Sequence, residues 1–245
     1  MKRHSLLFCL FFAAIMSMPS CKKDELPASF TLQILPYFGP SPFSLNTIYT
    51  LDNNQRLRIT RAQFYLSEIY GVRASGERVL IKKVALCDLA NPSSCAIPAE
   101  LSGDFTGIEM TLGLTPALNN TDPLAVSSSD PLAEAQNMYW SWLKYIFFKL
   151  EGFADISGTG SGNLTQSISY HVGGDPLAVA KTFTKTFSVQ SGSPSSLTLQ
   201  LDMRNLFDAN PDALNLSSEN QTDTDNRPDV AARFATLFGQ SFLLP

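Results

Sequence analysis

Fifteen residues from Met138 to Gly152 (MYWSWLKYIFFKLEG) constrain this chain more than any other stretch, because they hold both of its tryptophans. Read as a strand, Met138, Trp140, Trp142, Ile146, Phe148 and Leu150 form an apolar face broken only by Lys144. The other face mixes Tyr139, Ser141, Leu143, Tyr145, Phe147, Lys149 and Glu151. Rich aromatic content, no alanine and a closing Gly152 favour strand over helix, since such side chains fit a pleated, half-buried surface. The segment exceeds the usual strand length, so a bulge or bend is expected within it. Its bland reading is a central core strand.

The rest of the chain repeats the pattern in shorter units. Alternation predicts strands over 30–34, 43–51, 57–70, 79–86, 105–114, 163–171, 182–189 and 197–201, with a kink near Ala62–Gln63. Pro, Gly, Asn and Asp punctuate them. Residues 115–137 form a long Pro-rich loop with one or two helical turns from Pro131 capped by Asp130, and a short helical turn spans 202–207. Residues 208–228 read as an acidic, solvated loop, and Asp223, Asp225 and Asp229 within it lack the spacing of a calcium loop. One convincing helix runs from Pro228 to Phe238, with Val230, Phe234, Leu237 and Phe238 on one face and Gly239 as its stop. The sum is an all-β, antiparallel β-sandwich with long loops and one short C-terminal helix, a single domain over 30–245.

The N-terminus carries an export pattern. Lys2, Arg3 and His4 precede an apolar run from Leu6 to Met16, too short to span a bilayer, so residues 1–20 are expected to be a cleaved signal peptide. Ser20–Cys21 resembles a lipoprotein cleavage site. Lipidation of Cys21 would anchor the chain through a tether over 21–29 and place it in a Gram-negative envelope, on the periplasmic or surface face of the outer membrane. Removing Lys2 and Arg3 from the 18 basic residues leaves 16 against 22 acidic ones, a net of −6. With no basic patch, nucleic acid is an unsuitable partner. Cys87 and Cys95 flank the turn Asn91–Ser94, and in an oxidising compartment the expectation is a disulfide. A two-thiolate metal site has no histidine nearby to complete it.

Chemistry is scarce. His171 is the sole histidine after residue 4, which excludes a three-histidine metal centre. No Gly-x-Ser-x-Gly elbow accompanies it, so a hydrolase has no motif behind it and no enzymatic activity is expected. At the end of an alternating strand, His171 reads on its own as a half-buried residue bonded to a loop.

Met138–Trp142, Tyr145 and Lys149–Gly152 together resemble the signature of the MbnP-like copper-binding proteins, exported bacterial proteins associated with methanobactin. Phe64-Tyr65-Leu66-Ser67 and His171-Val172-Gly173 are similar to two further elements of that family. The resemblance implies a copper site near His171, with Trp140 or Trp142 beside it. In copper-binding members that site resembles two histidines plus an oxidised tryptophan, and a dihaem cytochrome peroxidase is the implied oxidising partner. This chain departs from the pattern in the loop before the tryptophans, where Asn120 stands in place of the second histidine. An amide is a poor copper ligand, so a lone His171 would need help from Met138, Met110 or another chain. Two readings follow: a copper-binding envelope lipoprotein with a weakened site, or a structural or ligand-binding surface module that has lost the metal.

Overall fold

The computed structural model describes residues 28–245. The expected export signal, Cys21 and most of the tether lie outside them. In chain order the strands begin with β1 (Ser29–Phe38), β2 (Ser41–Pro42), β3 (Ile48–Thr50) and β4 (Arg56–Val72). There follow β5 (Arg78–Asp88), β6 (Ala96–Glu100), β7 (Gly103–Leu112), the single-turn helix α1 (Pro116–Asn119) and β8 (Tyr139–Trp140). After these come β9 (Lys144–Asp155), β10 (Gln166–Gly173), β11 (Val179–Val189), β12 (Ser195–Asp202) and β13 (Gln221–Thr222). The helix α2 (Pro228–Gln240) and β14 (Phe242–Leu243) complete the chain.

Two sheets form the expected sandwich. The smaller runs β14-β12-β1-β2 with β6 also on β1, and the larger runs β11-β7-β4-β9-β10-β13. β4 is the spine of the larger sheet. Its first half pairs with β9 and its second half with β7, while β3 and β5 lie along it as well. One strand serves so many neighbours because it bends at two register shifts, between Ile59 and Arg61 and between Ser67 and Tyr70. At the second, Glu68 adopts a φ of 48°. The kink expected at Ala62–Gln63 is therefore replaced by two bulges on either side of it. Opposite the first bulge, Gly152 faces Ile59 so closely that a Cβ there would press into the carbonyl oxygen of Arg58. Pairing is antiparallel with two exceptions, the parallel ladders β1–β12 and β10–β13.

The period-2 pattern drives apolar side chains inward from both sheets. Phe30, Leu32 and Ile34 of β1 and Leu197, Leu199 and Leu201 of β12 are buried, facing Leu57, Ile59, Phe64, Phe148, Leu150 and Tyr170 from the larger sheet. α2 joins the two layers as its 3.6-residue pattern predicts. Phe238 lies 4.7 Å from Phe148 and 5.5 Å from Phe242, ring centre to ring centre, and Phe234 stacks on Tyr170 at 5.2 Å. Each such buried aromatic contributes roughly 1.5–3 kcal/mol.

Three sequence expectations need correction. Met138–Gly152 is a hairpin rather than one bent strand: β8 turns through Ser141-Trp142-Leu143 and returns as β9, with Lys144 at a φ of 65°. The segment 208–228 is not wholly solvated, because Leu214, Leu216 and Thr222 are buried within it. Finally, Cys87 and Cys95 are buried free thiols rather than a disulfide. Hydrogen bonds close their loop instead: the Asp88 amide donates to Ser94 Oγ at 2.7 Å and the Ser94 amide to the Asn91 carbonyl. The thiols meet within it, and the hydrogen bond to Cys95, together with burial, raises the pKa of Cys87.

Candidate functional site around Trp140 and His171

On β10 the alternation sends Ile168, Tyr170 and Val172 into the core and leaves Ser169 and His171 on the outer face of the larger sheet. The neighbouring β9 presents Lys149 and Glu151, which stand opposite His171 and Ser169 in the register. His171 Nε2 lies 2.7 Å from Glu151 Oε1, and Arg61 on β4 approaches Glu151 from the far side at 3.8 Å. Burial holds the His171 pKa below the ordinary imidazole value, against the opposing pull of Glu151. In the neutral ring the Nε2–H donates to the Glu151 carboxylate, which leaves Nδ1 as the lone-pair nitrogen.

What buries His171 is the hairpin arm, and a chain of buried polar contacts delivers that arm. Tyr65 Oη donates to the Pro131 carbonyl at 2.9 Å, and Tyr145 Oη donates to the Leu132 carbonyl at 2.7 Å. Burial raises the pKa of both phenols, that of Tyr145 to about 12, so each keeps the proton it donates. Ser67 Oγ donates to the Gly113 carbonyl at 2.8 Å, fixing the start of the long loop. Asn119 in α1 bridges Asp175 at 2.8 Å and the Tyr145 amide at 3.2 Å. The buried Lys149 ammonium donates to the Asn137 carbonyl, and burial lowers its pKa. Thus the Tyr-x-Ser element and the tryptophan segment, 73 residues apart at Tyr65 and Met138, act together to pin residues 113–145 over the outer face.

The arm sets Trp140 edge-on to His171, with ring centres 4.8 Å apart at 84°. Trp142 stacks on Trp140 at 5.2 Å and stays 54% exposed. Beside them lies a shallow cavity of about 200 Å³, lined by Trp140, Ser169, His171, Gln221, Asp223 and Asn226. The sequence reading missed Glu151, Gln221 and Asn226. The alternating frame of β9 places Glu151 on the outer face, but only the β10–β13 pairing brings in residues 221–226.

Two expected contributors fall elsewhere. Met138 is 1% exposed, part of the hydrophobic core, and its sulfur is committed to packing. Asn120 spends its amide on the Pro116 carbonyl at 2.7 Å and accepts from Lys144 Nζ at 2.5 Å. The Lys144 ammonium therefore sits beside Asn120. Among the described residues no group of three His, Cys, Asp or Glu is placed to hold a metal. One imidazole with neighbouring oxygens does not fit a tightly held copper ion, which favours nitrogen and sulfur donors.

A sequence profile of MbnP matches residues 27–228. The chain belongs to the MbnP family. Among solved structures it is similar to MbnP from Methylosinus trichosporium, with 14% identity over 80% of this chain and 85% of that one, and a TM-score of 0.48. No curated protein matches it. Within this MbnP-family chain the residues singled out from the sequence sort into two sets. Tyr65, Ser67, Tyr145 and Lys149 hold the arm in place, whereas Trp140 and His171 form the surface that the arm creates.

Proposed function

We propose that this protein is an exported envelope lipoprotein, anchored through Cys21, that uses the MbnP scaffold to bind a ligand at the Trp140–His171 surface without copper as a resident ion. The role is binding rather than catalysis. The single observation that carries this reading is the state of Asn120, whose amide is taken up by Lys144 and Pro116 while His171 stands alone as imidazole. A weaker copper reading draws on Glu151: a carboxylate on one imidazole nitrogen is the arrangement that orients the other nitrogen toward a metal.

Titration of the purified full-length protein with Cu(I) and Cu(II), beside His171→Ala, separates the two. The expected result is weak binding of similar strength in both proteins. Tight one-to-one binding that disappears in His171→Ala would overturn the proposal. For the anchor, intact mass of the membrane-extracted protein is expected to show a chain beginning at lipidated Cys21, and Cys21→Ser to release it from the membrane fraction. An unlipidated wild-type chain would refute that part.

A further inference from the structure

We infer that the cavity beside Trp140 is a recognition site for a neutral saccharide, taking one pyranose ring against the indole. The inference rests on the ligand-binding reading above and names its ligand class. A pyranose has one face of C–H groups and a rim of hydroxyls. Its binding therefore needs a flat, electron-rich aromatic surface on one side and in-plane donor–acceptor groups around the edge.

The cavity supplies both. Trp140 contributes its indole to the lining, and Trp142, stacked on Trp140 at 27° and exposed, places a second indole beside the cavity. Gln221, Asn226, Asp223 and Ser169 share the lining with Trp140. Asp223 and Asn226 clasp one another through their backbone amides, Asp223 N to Asn226 Oδ1 and Asn226 N to Asp223 Oδ1, both at 3.0 Å. That clasp fixes the loop and leaves Asn226 Nδ2 and Asp223 Oδ2 unbonded among the described residues, as are Ser169 Oγ and the Gln221 amide. These groups are two amides, a hydroxyl and one carboxylate, the donor–acceptor mixture that hydroxyls demand. A cationic ligand would call for more negative charge than this. Glu151 offers none of it, since His171 and Arg61 already engage it. The volume of about 200 Å³ has room for a single sugar ring.

Both tryptophans of the chain belong to this surface, so tryptophan emission, excited selectively over the seven tyrosines, reports on it. Full-length protein is titrated with the methyl glycosides of glucose, galactose, mannose and N-acetylglucosamine, and with tetramethylammonium as the cationic counter-probe. At least one glycoside is expected to give a saturable emission change with a Kd of roughly millimolar order. By calorimetry, Trp140→Ala should weaken it at least about tenfold and Gln221→Ala by about three- to tenfold, both with unchanged circular dichroism. The Gln221 side chain is exposed and makes no hydrogen bond among the described residues, so its variant keeps the test valid if Trp140→Ala misfolds. No response to any glycoside, binding that survives Trp140→Ala or Gln221→Ala undiminished, or a response to tetramethylammonium alone would each overturn the inference. The two failures separate cleanly. Tight His171-dependent copper binding defeats the reading beneath, whereas a copper-free protein indifferent to every glycoside defeats only the saccharide.

Discussion

His171 shows how a single side chain takes its properties from its neighbours. Burial under Trp140 lowers its pKa while Glu151 pulls the other way. NMR titration of this imidazole should place its pKa below the ordinary value of about 6.5. Glu151→Gln should push it lower still, and Trp140→Ala should let it return toward normal. Because the folded pKa is depressed, the associated stability is present above about pH 6.5 and lost as pH falls through the lower folded value. Chemical denaturation at a series of pH values checks that sign, and a flat profile would contradict it. Tyr65 offers a second test at this scale. Tyr65→Phe leaves the Pro131 carbonyl without its donor, and a denaturant melt should register a loss of about 1–2 kcal/mol. The sequence marked Tyr65 and Ser67 as a resemblance to a family element without giving their job, because each bonds to a carbonyl far away in the chain.

At the level of elements, the decisive piece is the arm over residues 113–145. Its hairpin was hidden in the sequence because Met138–Gly152 alternates well enough to pass for one long strand. What breaks it is Lys144 at positive φ and the pull of distant partners, Asn119 on Tyr145 and Lys149 on Asn137. Lys149→Met tests this. A buried ammonium gives up much of its hydration for few bonds, so a methionine of similar length should change stability by less than about 1.5 kcal/mol. The arm, however, loses a tie. Acrylamide quenching of the tryptophans should rise, and the His171 pKa should move up as both burial and the nearby Lys149 charge are relieved. Unchanged quenching would show that the tyrosines alone hold the arm.

Over the whole molecule, the two sheets share one core, with α2 as the element that touches both. Phe234→Ala removes a ring packed on Phe148, Tyr170 and Phe238, and should cost about 3–5 kcal/mol. Tryptophan fluorescence and far-ultraviolet circular dichroism should lose signal together in the melt, since the arm is bonded to strands of that same core. Separate transitions would mean that the arm unfolds on its own. By itself the sequence determined the strand-rich sandwich and the amphipathic helix, because periods of two and of 3.6 residues are local consequences of which faces meet water. It also determined that a single imidazole was available after residue 4, since composition needs no fold. Tertiary structure decided which strand branches, where the hairpin turns, that Met138 is core and that Asn120 meets Lys144. It also brought residues 221–226 to Trp140 and His171. Those outcomes rest on pairings between segments far apart in the chain, where local pattern carries no information about which partner is met.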